Sequence, residues 1–118
     1  MNILTQMKCM SYEAGETAIT ETEITEYLPL IPDWKIVERD GVRHLERVFN
    51  FKNFSQALAF TNKVGALAEE EDHHPSIQTE WGGVTVTWWT HKVKGLHLND
   101  FIMAAKTDVA YSGMKSTR

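Results

Sequence analysis

Asp40-Gly41 stands between two stretches that read as strands, Trp34 to Arg39 and Arg43 to Phe51. Aspartate followed by glycine suits the paired positive-φ positions of a two-residue hairpin turn. Gly82-Gly83 gives the same signal between Ser76 to Trp81 and Val84 to His91. Two hairpins in so short a chain demand an antiparallel sheet, and the apolar side of that sheet needs a cover. Period-2 alternation then assigns the faces. Leu45, Phe49 and Phe51 share one face of their strand. Val84, Val86 and Trp88 share one face of the last strand, with Thr85, Thr87, Trp89 and His91 on the other. On this basis Trp88 reads as core, and Trp89 as lining either a site or a contact between subunits.

Helical patterns supply the cover. Thr20 and Thr22 can cap a short helix that carries Glu21, Glu23 and Glu26 near its positive end. Ile24, Leu28 and Ile31 lie on one side of it, and Pro29 and Pro32 close it. Asn53 caps a longer helix to about Glu70. Its apolar stripe is Phe54, Ala57, Leu58, Thr61, Val64, Leu67 and Ala68. A last helix starts near Leu98 or Asn99 and runs to about Tyr111, with Phe101, Ile102, Ala105 and Val109 inward. The expected architecture is α+β: a four-stranded antiparallel sheet made of two hairpins, with about three helices packed on one face. At 118 residues this is one domain. Residues 1–20 read as a flexible lead-in, 21–112 as the domain and 113–118 as a frayed tail. The two strand–strand–helix halves echo each other in order, without a repeat of residues.

Composition excludes several classes of function. A net charge of −4 offers no basic surface for nucleic acid. No apolar run approaches the length of a bilayer span, and Met1 to Thr20 lacks the apolar stretch of a secretory signal. The single cysteine, Cys9, can form neither an internal disulfide nor a cysteine-based zinc site. The expectation is a soluble cytoplasmic protein. Histidine is the unusual residue, because three of the five fall between His73 and His91.

The stretch Glu69-Glu70-Glu71-Asp72-His73-His74-Pro75 breaks local rules. Acids gather at a helix C-terminus, where the macrodipole disfavours negative charge. Two imidazoles follow, and carboxylates beside an imidazole favour its charged form, a combination suited to moving protons. Alone, the segment also reads as a solvated acidic helix end with two surface histidines. The residues beyond it sharpen the reading: Trp81, then His91 at the end of a strand, then Asp100 in the first turn of a helix. Elsewhere, Trp34 reads as packing at the start of its strand and Trp81 as bracing a turn. His44 reads as a plain surface residue, His97 as local structure, and Cys9 as unused.

The pattern Glu69, His73-His74-Pro75, Trp81, His91 and Asp100 resembles the signature of the pterin-4a-carbinolamine dehydratases. The surrounding text is similar to bacterial members: Ile31-Pro32-Asp33-Trp34, Phe51-Lys52-Asn53-Phe54, Val84-Thr85-Val86-Thr87-Trp88-Trp89 and Gly95-Leu96-His97. The likeness runs from about Leu30 to Thr107. It implies removal of water from a 4a-hydroxytetrahydropterin left by aromatic amino acid hydroxylases, giving a quinonoid dihydropterin. It implies His73, His74 and His91 as the functional histidines. His73 and His91 would transfer protons and His74 would hold the pterin. Glu69, Asp100, Asp72 and Trp89 would orient these rings or the substrate. No cofactor and no metal are implied, and a homodimer or homotetramer is. Two other readings stand beside it. One is a metal-binding module on His73, His74, His91 and Asp100, weakened because adjacent residues rarely point at one ion. The other is a protein-binding role, since animal members also act as dimerisation cofactors for a homeodomain transcription factor.

Overall fold

Asp40 and Gly41 both take positive φ, 54° and 77°, and so close the hairpin of β1 (Lys35–Arg39) and β2 (Val42–Asn50). The computed structural model describes residues 3–9 and 18–116. The second hairpin joins β3 (Ser76–Glu80) to β4 (Gly83–Trp88). The β2 and β4 strands pair antiparallel from Leu45↔Trp88 to Asn50↔Gly83, giving one four-stranded sheet in the order β1-β2-β4-β3. Leu45 and Phe49 of β2 and Val84, Val86 and Trp88 of β4 are buried. Over them pack α2 (Phe54–Glu71) and α3 (Leu98–Ser116). The fold is therefore the expected α+β arrangement.

Short helix α1 (Glu21–Tyr27) starts in a capping box. Thr20 accepts from the Glu23 amide, and the Glu23 carboxylate accepts from the Thr20 amide. The Thr20 contacts hold the Glu23 carboxyl below its ordinary range. Pro29 confines the continuation to a 3-10 turn, Leu28–Leu30. Asn53 caps α2 as its side chain accepts from the Gln56 amide.

Several boundaries and faces differ from the sequence reading. The second turn is Trp81-Gly82, one residue earlier than Gly82-Gly83, and Gly82 carries the positive φ of 79°. Trp81 thus sits on the turn itself rather than at the end of a strand, 74% exposed. The buried stripe of α2 is Ala57, Phe60, Val64 and Ala68. Phe54 and Leu58 face outward, because Phe60 takes the place against Phe49 and Phe51. On α3 Val109 is exposed, while Met103 and Ala104 join Phe101, Ile102 and Ala105 in the core. That helix, expected to end at about Tyr111 before a frayed 113–118, continues through Gly113 to Ser116, and 117–118 lie outside the described residues.

The segment expected as a loose lead-in contributes to the core where it is described. Leu4, in a 3-10 turn (Ile3–Gln6) packed on α3, is fully buried. The Cys9 amide donates to Glu71 Oε1 at 2.8 Å, and Lys106 Nζ reaches Glu71 Oε2 at 3.1 Å. Burial, followed by the charge of Glu71, pushes the Cys9 thiol up to about 12, so it stays protonated and inert. The far side of the core is tied differently. Asp108 of α3 accepts from the Trp34 indole at 2.8 Å and from Arg47 of β2 at 2.6 Å. Burial raises the Asp108 carboxyl, against the pull of those two donors.

The Glu71 carboxyl is held below its ordinary range, first by the Cys9 amide and further by Lys106, with burial opposing. A carboxyl lowered on folding adds stability that is complete above its unfolded value and is lost as pH falls through its folded value. Denaturant melts at falling pH should show this loss on the acid side of the ordinary carboxylate range. Glu71→Gln should be less stable by about 1–2 kcal/mol at neutral pH and show a flatter acid limb. Parallel acid limbs in the two proteins would assign the effect to other groups.

Candidate active site

Asp100 is fully buried and cannot stay ionised there without donors. It has three: His73 Nε2 at 2.6 Å on Oδ1, and the Thr90 hydroxyl at 2.8 Å and the His97 amide at 2.9 Å, both on Oδ2. Asp100 lies in the first turn of α3. His97 caps that helix as its Nδ1 accepts from the Asn99 amide at 3.0 Å, which is the local role expected of it. With Asp100 reaching back to the His97 amide, the cap is reciprocal.

His73 reaches Asp100 because α2 stops abruptly. Asp72 takes a left-handed conformation, φ 53° and ψ 43°, and the His73 amide bonds back to the Ala68 carbonyl at 3.1 Å. This turn throws His73 inward and His74 outward. The His73 ring lies nearly parallel to Trp88, at 9° with centroids 5.6 Å apart. Its Nε2–H donates to the carboxylate, which makes Nδ1 the nitrogen available to take a proton. Among the described residues His73 Nδ1 makes no hydrogen bond, and it is not sealed from solvent.

The other expected residues fall into separate groups. His74 Nε2 bonds Glu69 Oε2, both side chains largely in water. His91 is exposed and packs edge-on against Trp89, centroids 5.1 Å apart. Asp72 serves through its backbone, and among the described residues its side chain makes no hydrogen bond or ion pair with an imidazole. Strand β4 was expected to reach His91 but ends at Trp88, where its pairing with β2 ends at Leu45 and, one residue earlier, its pairing with β3 at Ser76. Beyond it Thr90 bridges Gly95, and His91 opens a 3-10 turn, His91–Val93. Alternation still holds across this stretch: Trp88 and Thr90 point inward, and Trp89 stands between them on the face without helices.

Three contributors were missed from sequence. Thr90 and the His97 amide hold Asp100, and only their nearness in the chain to His91 and Asp100 hinted at it. His44 was read as surface, yet it is 7% exposed, with its Nδ1–H donating to the Val42 carbonyl at 2.8 Å and its ring 4.3 Å from Trp89. Among the described residues, no three His, Cys, Asp or Glu side chains group as a metal site needs, and no helix is long and apolar enough to cross a membrane.

By fold and site, this is a small α+β domain whose sheet ends beside a carboxylate-held histidine. The family is narrower than that class. Residues 17–110 match the model of the pterin 4 alpha carbinolamine dehydratase family, and the chain belongs to it. A crystal structure of a transcriptional coactivator/pterin dehydratase from Brucella melitensis is similar at 35% identity and a TM-score of 0.73, covering 80% of this chain and 99% of that one. A pterin dehydratase-like protein identified as a RuBisCO assembly factor in the alpha-carboxysome shares the fold. It has 24% identity and a TM-score of 0.57, over 67% of this chain and 89% of its own.

Trp88 is fully buried and donates its indole N–H to Thr107 at 3.2 Å, whereas Trp89 is half-buried. Trp88→Ala should cost about 3–5 kcal/mol of stability and Trp89→Ala clearly less. Thermal melts of the two variants decide it, and equal losses would contradict this assignment of faces.

Proposed function

We propose that the chain is a pterin-4a-carbinolamine dehydratase acting by histidine acid–base chemistry. The observation that carries this is the buried Asp100–His73 pair, which fixes one imidazole and leaves Nδ1 for a proton. Family membership and the dehydratase named in the Brucella relative support the same reading.

The reaction breaks the bond from carbon 4a to its hydroxyl oxygen. The oxygen receives a proton and leaves as water. The adjacent ring nitrogen gives up its proton, and the electrons of that N–H bond form the new carbon–nitrogen double bond. No net proton or electron is consumed. One group must donate while another accepts, and two imidazoles suit the two tasks near neutral pH. His73 and His91 take these parts in our reading. The negative charge of Asp100 stabilises a proton gained by His73 during the cycle. His74, in water and tethered to Glu69, is placed to hold the pterin edge.

The direct test is dehydration of a 4a-hydroxytetrahydropterin followed by stopped-flow absorbance. His73→Ala and His91→Ala should each lower kcat/KM, within the roughly 10²–10⁴-fold range of acid–base groups. Water replaces one carrier in part, so the double variant should depart from the product of the two effects. Strict additivity, or an inert His91→Ala, would remove His91 from the site. His74→Ala should raise KM more than it lowers kcat. A collapse of kcat at constant KM would make His74 a proton carrier instead.

A further inference from the structure

His44 lies on β2, on the sheet face that no helix covers, yet it is 7% exposed. Nothing in the family signature points to it. Its Nδ1–H is committed to the Val42 carbonyl, so the ring is fixed in position and tautomer. The fixed ring packs against Trp89 at 4.3 Å between centroids, tilted by 52°. Trp89 in turn packs against His91 at 5.1 Å and 65°. The three rings form a row with Trp89 in the middle.

His91 has little else to hold it. It is exposed, it begins a 3-10 turn beyond the end of β4, and its side chain makes no hydrogen bond among the described residues. Trp89 is outside the strand ladder as well. The nearest rigid point in the row is therefore His44, inside β2, paired with Val37 of β1 and one position beyond the Leu45↔Trp88 pair that ties β2 to β4. A proton carrier whose ring is not held loses effective concentration at the reacting atom, and displacement of about an ångström is costly.

We propose that His44 is a positioning residue for His91, acting through Trp89. This rests on the reading of His91 as a proton carrier of the dehydratase. His44 supplies a rigid flat surface, Trp89 transmits its position, and the edge-on contact fixes the His91 ring. The ring of His44 is what matters, while its hydrogen bond to Val42 fixes that ring. A phenylalanine in its place keeps the surface and loses the bond. A glutamine reverses this, keeping a donor and losing the ring.

The test combines NMR of the histidine ring protons with steady-state dehydration by the full chain. In the parent protein the His91 ring protons should carry a ring-current shift from Trp89, identified by its disappearance in Trp89→Leu. In His44→Gln that shift should diminish, although His44 does not touch His91, and kcat should fall about tenfold with KM changed less. His44→Phe should restore both the shift and most of kcat. An unchanged His91 shift in a folded His44→Gln protein would overturn the proposal. So would the reverse ranking, with glutamine active and phenylalanine impaired, since that assigns the role to the hydrogen bond. The NMR arm needs no substrate. A parent protein with no dehydration but with the expected shifts would refute the proposed reaction and leave the row of rings intact. Normal dehydration with unmoved shifts would refute the row alone.

Discussion

A carboxylate with no exposed surface has to find its donors inside the protein, and Asp100 draws its own from three places in the chain. His73 comes from the turn after α2, Thr90 from the segment after β4, and the His97 amide from the entry to α3. Removing any one donor leaves buried charge short of a partner, which costs more than the hydrogen bond itself contributes. The same constraint thus joins two helix ends and the exit of the sheet. It also explains why β4 gives way to an irregular stretch. Thr90 can reach Asp100 because it has left the ladder and closed a small loop through Gly95.

Adjacent tryptophans set the candidate residues in two groups, on opposite sides of the sheet. Trp88 faces the helices and stacks on His73, while Trp89 faces the other way and carries His44 and His91. One ring position therefore depends on core packing and the other on the uncovered face. Changes to the core act first on His73, and changes to the surface of β2 act first on His91. The acidic helix end between them has a similar division. Glu71 is turned inward onto the Cys9 amide and Lys106, whereas Glu69 stays in water with His74.

The hairpins, the three helices and the separation of Trp88 from Trp89 were legible because each depends on local chemistry: Asp-Gly turn geometry, caps at Thr20 and Asn53, and period-2 alternation. Errors arose where a distant partner decides. The end of β4 falls where its ladders end, at Leu45 of β2 and Ser76 of β3, although β2 itself continues to Val42, and Val84 to His91 do not encode this by themselves. Phe60 displaced Phe54 and Leu58 from the core because aromatic rings on β2 receive it, and helical spacing alone admits either stripe. His44 was misjudged for the same reason, since its cover comes from a ring forty-five positions away in sequence. The acid–histidine motif could be read from spacing. Asp100 holding His73 depends on a turn conformation at Asp72 that left-handed geometry makes available to aspartate more readily than to most residues.

The docking of residues 3–9 has a consequence for the order of events during synthesis. Leu4 and Cys9 are made before the surfaces that receive them, which belong to α3 and to the end of α2. While α3 is still inside the ribosome, the opening segment has no completed seat, and Leu4 stays in water or against transient partners. That segment therefore settles only once α3 has been made. Contacts of such long sequence separation slow folding, and here they bring the earliest and latest parts of the described chain together.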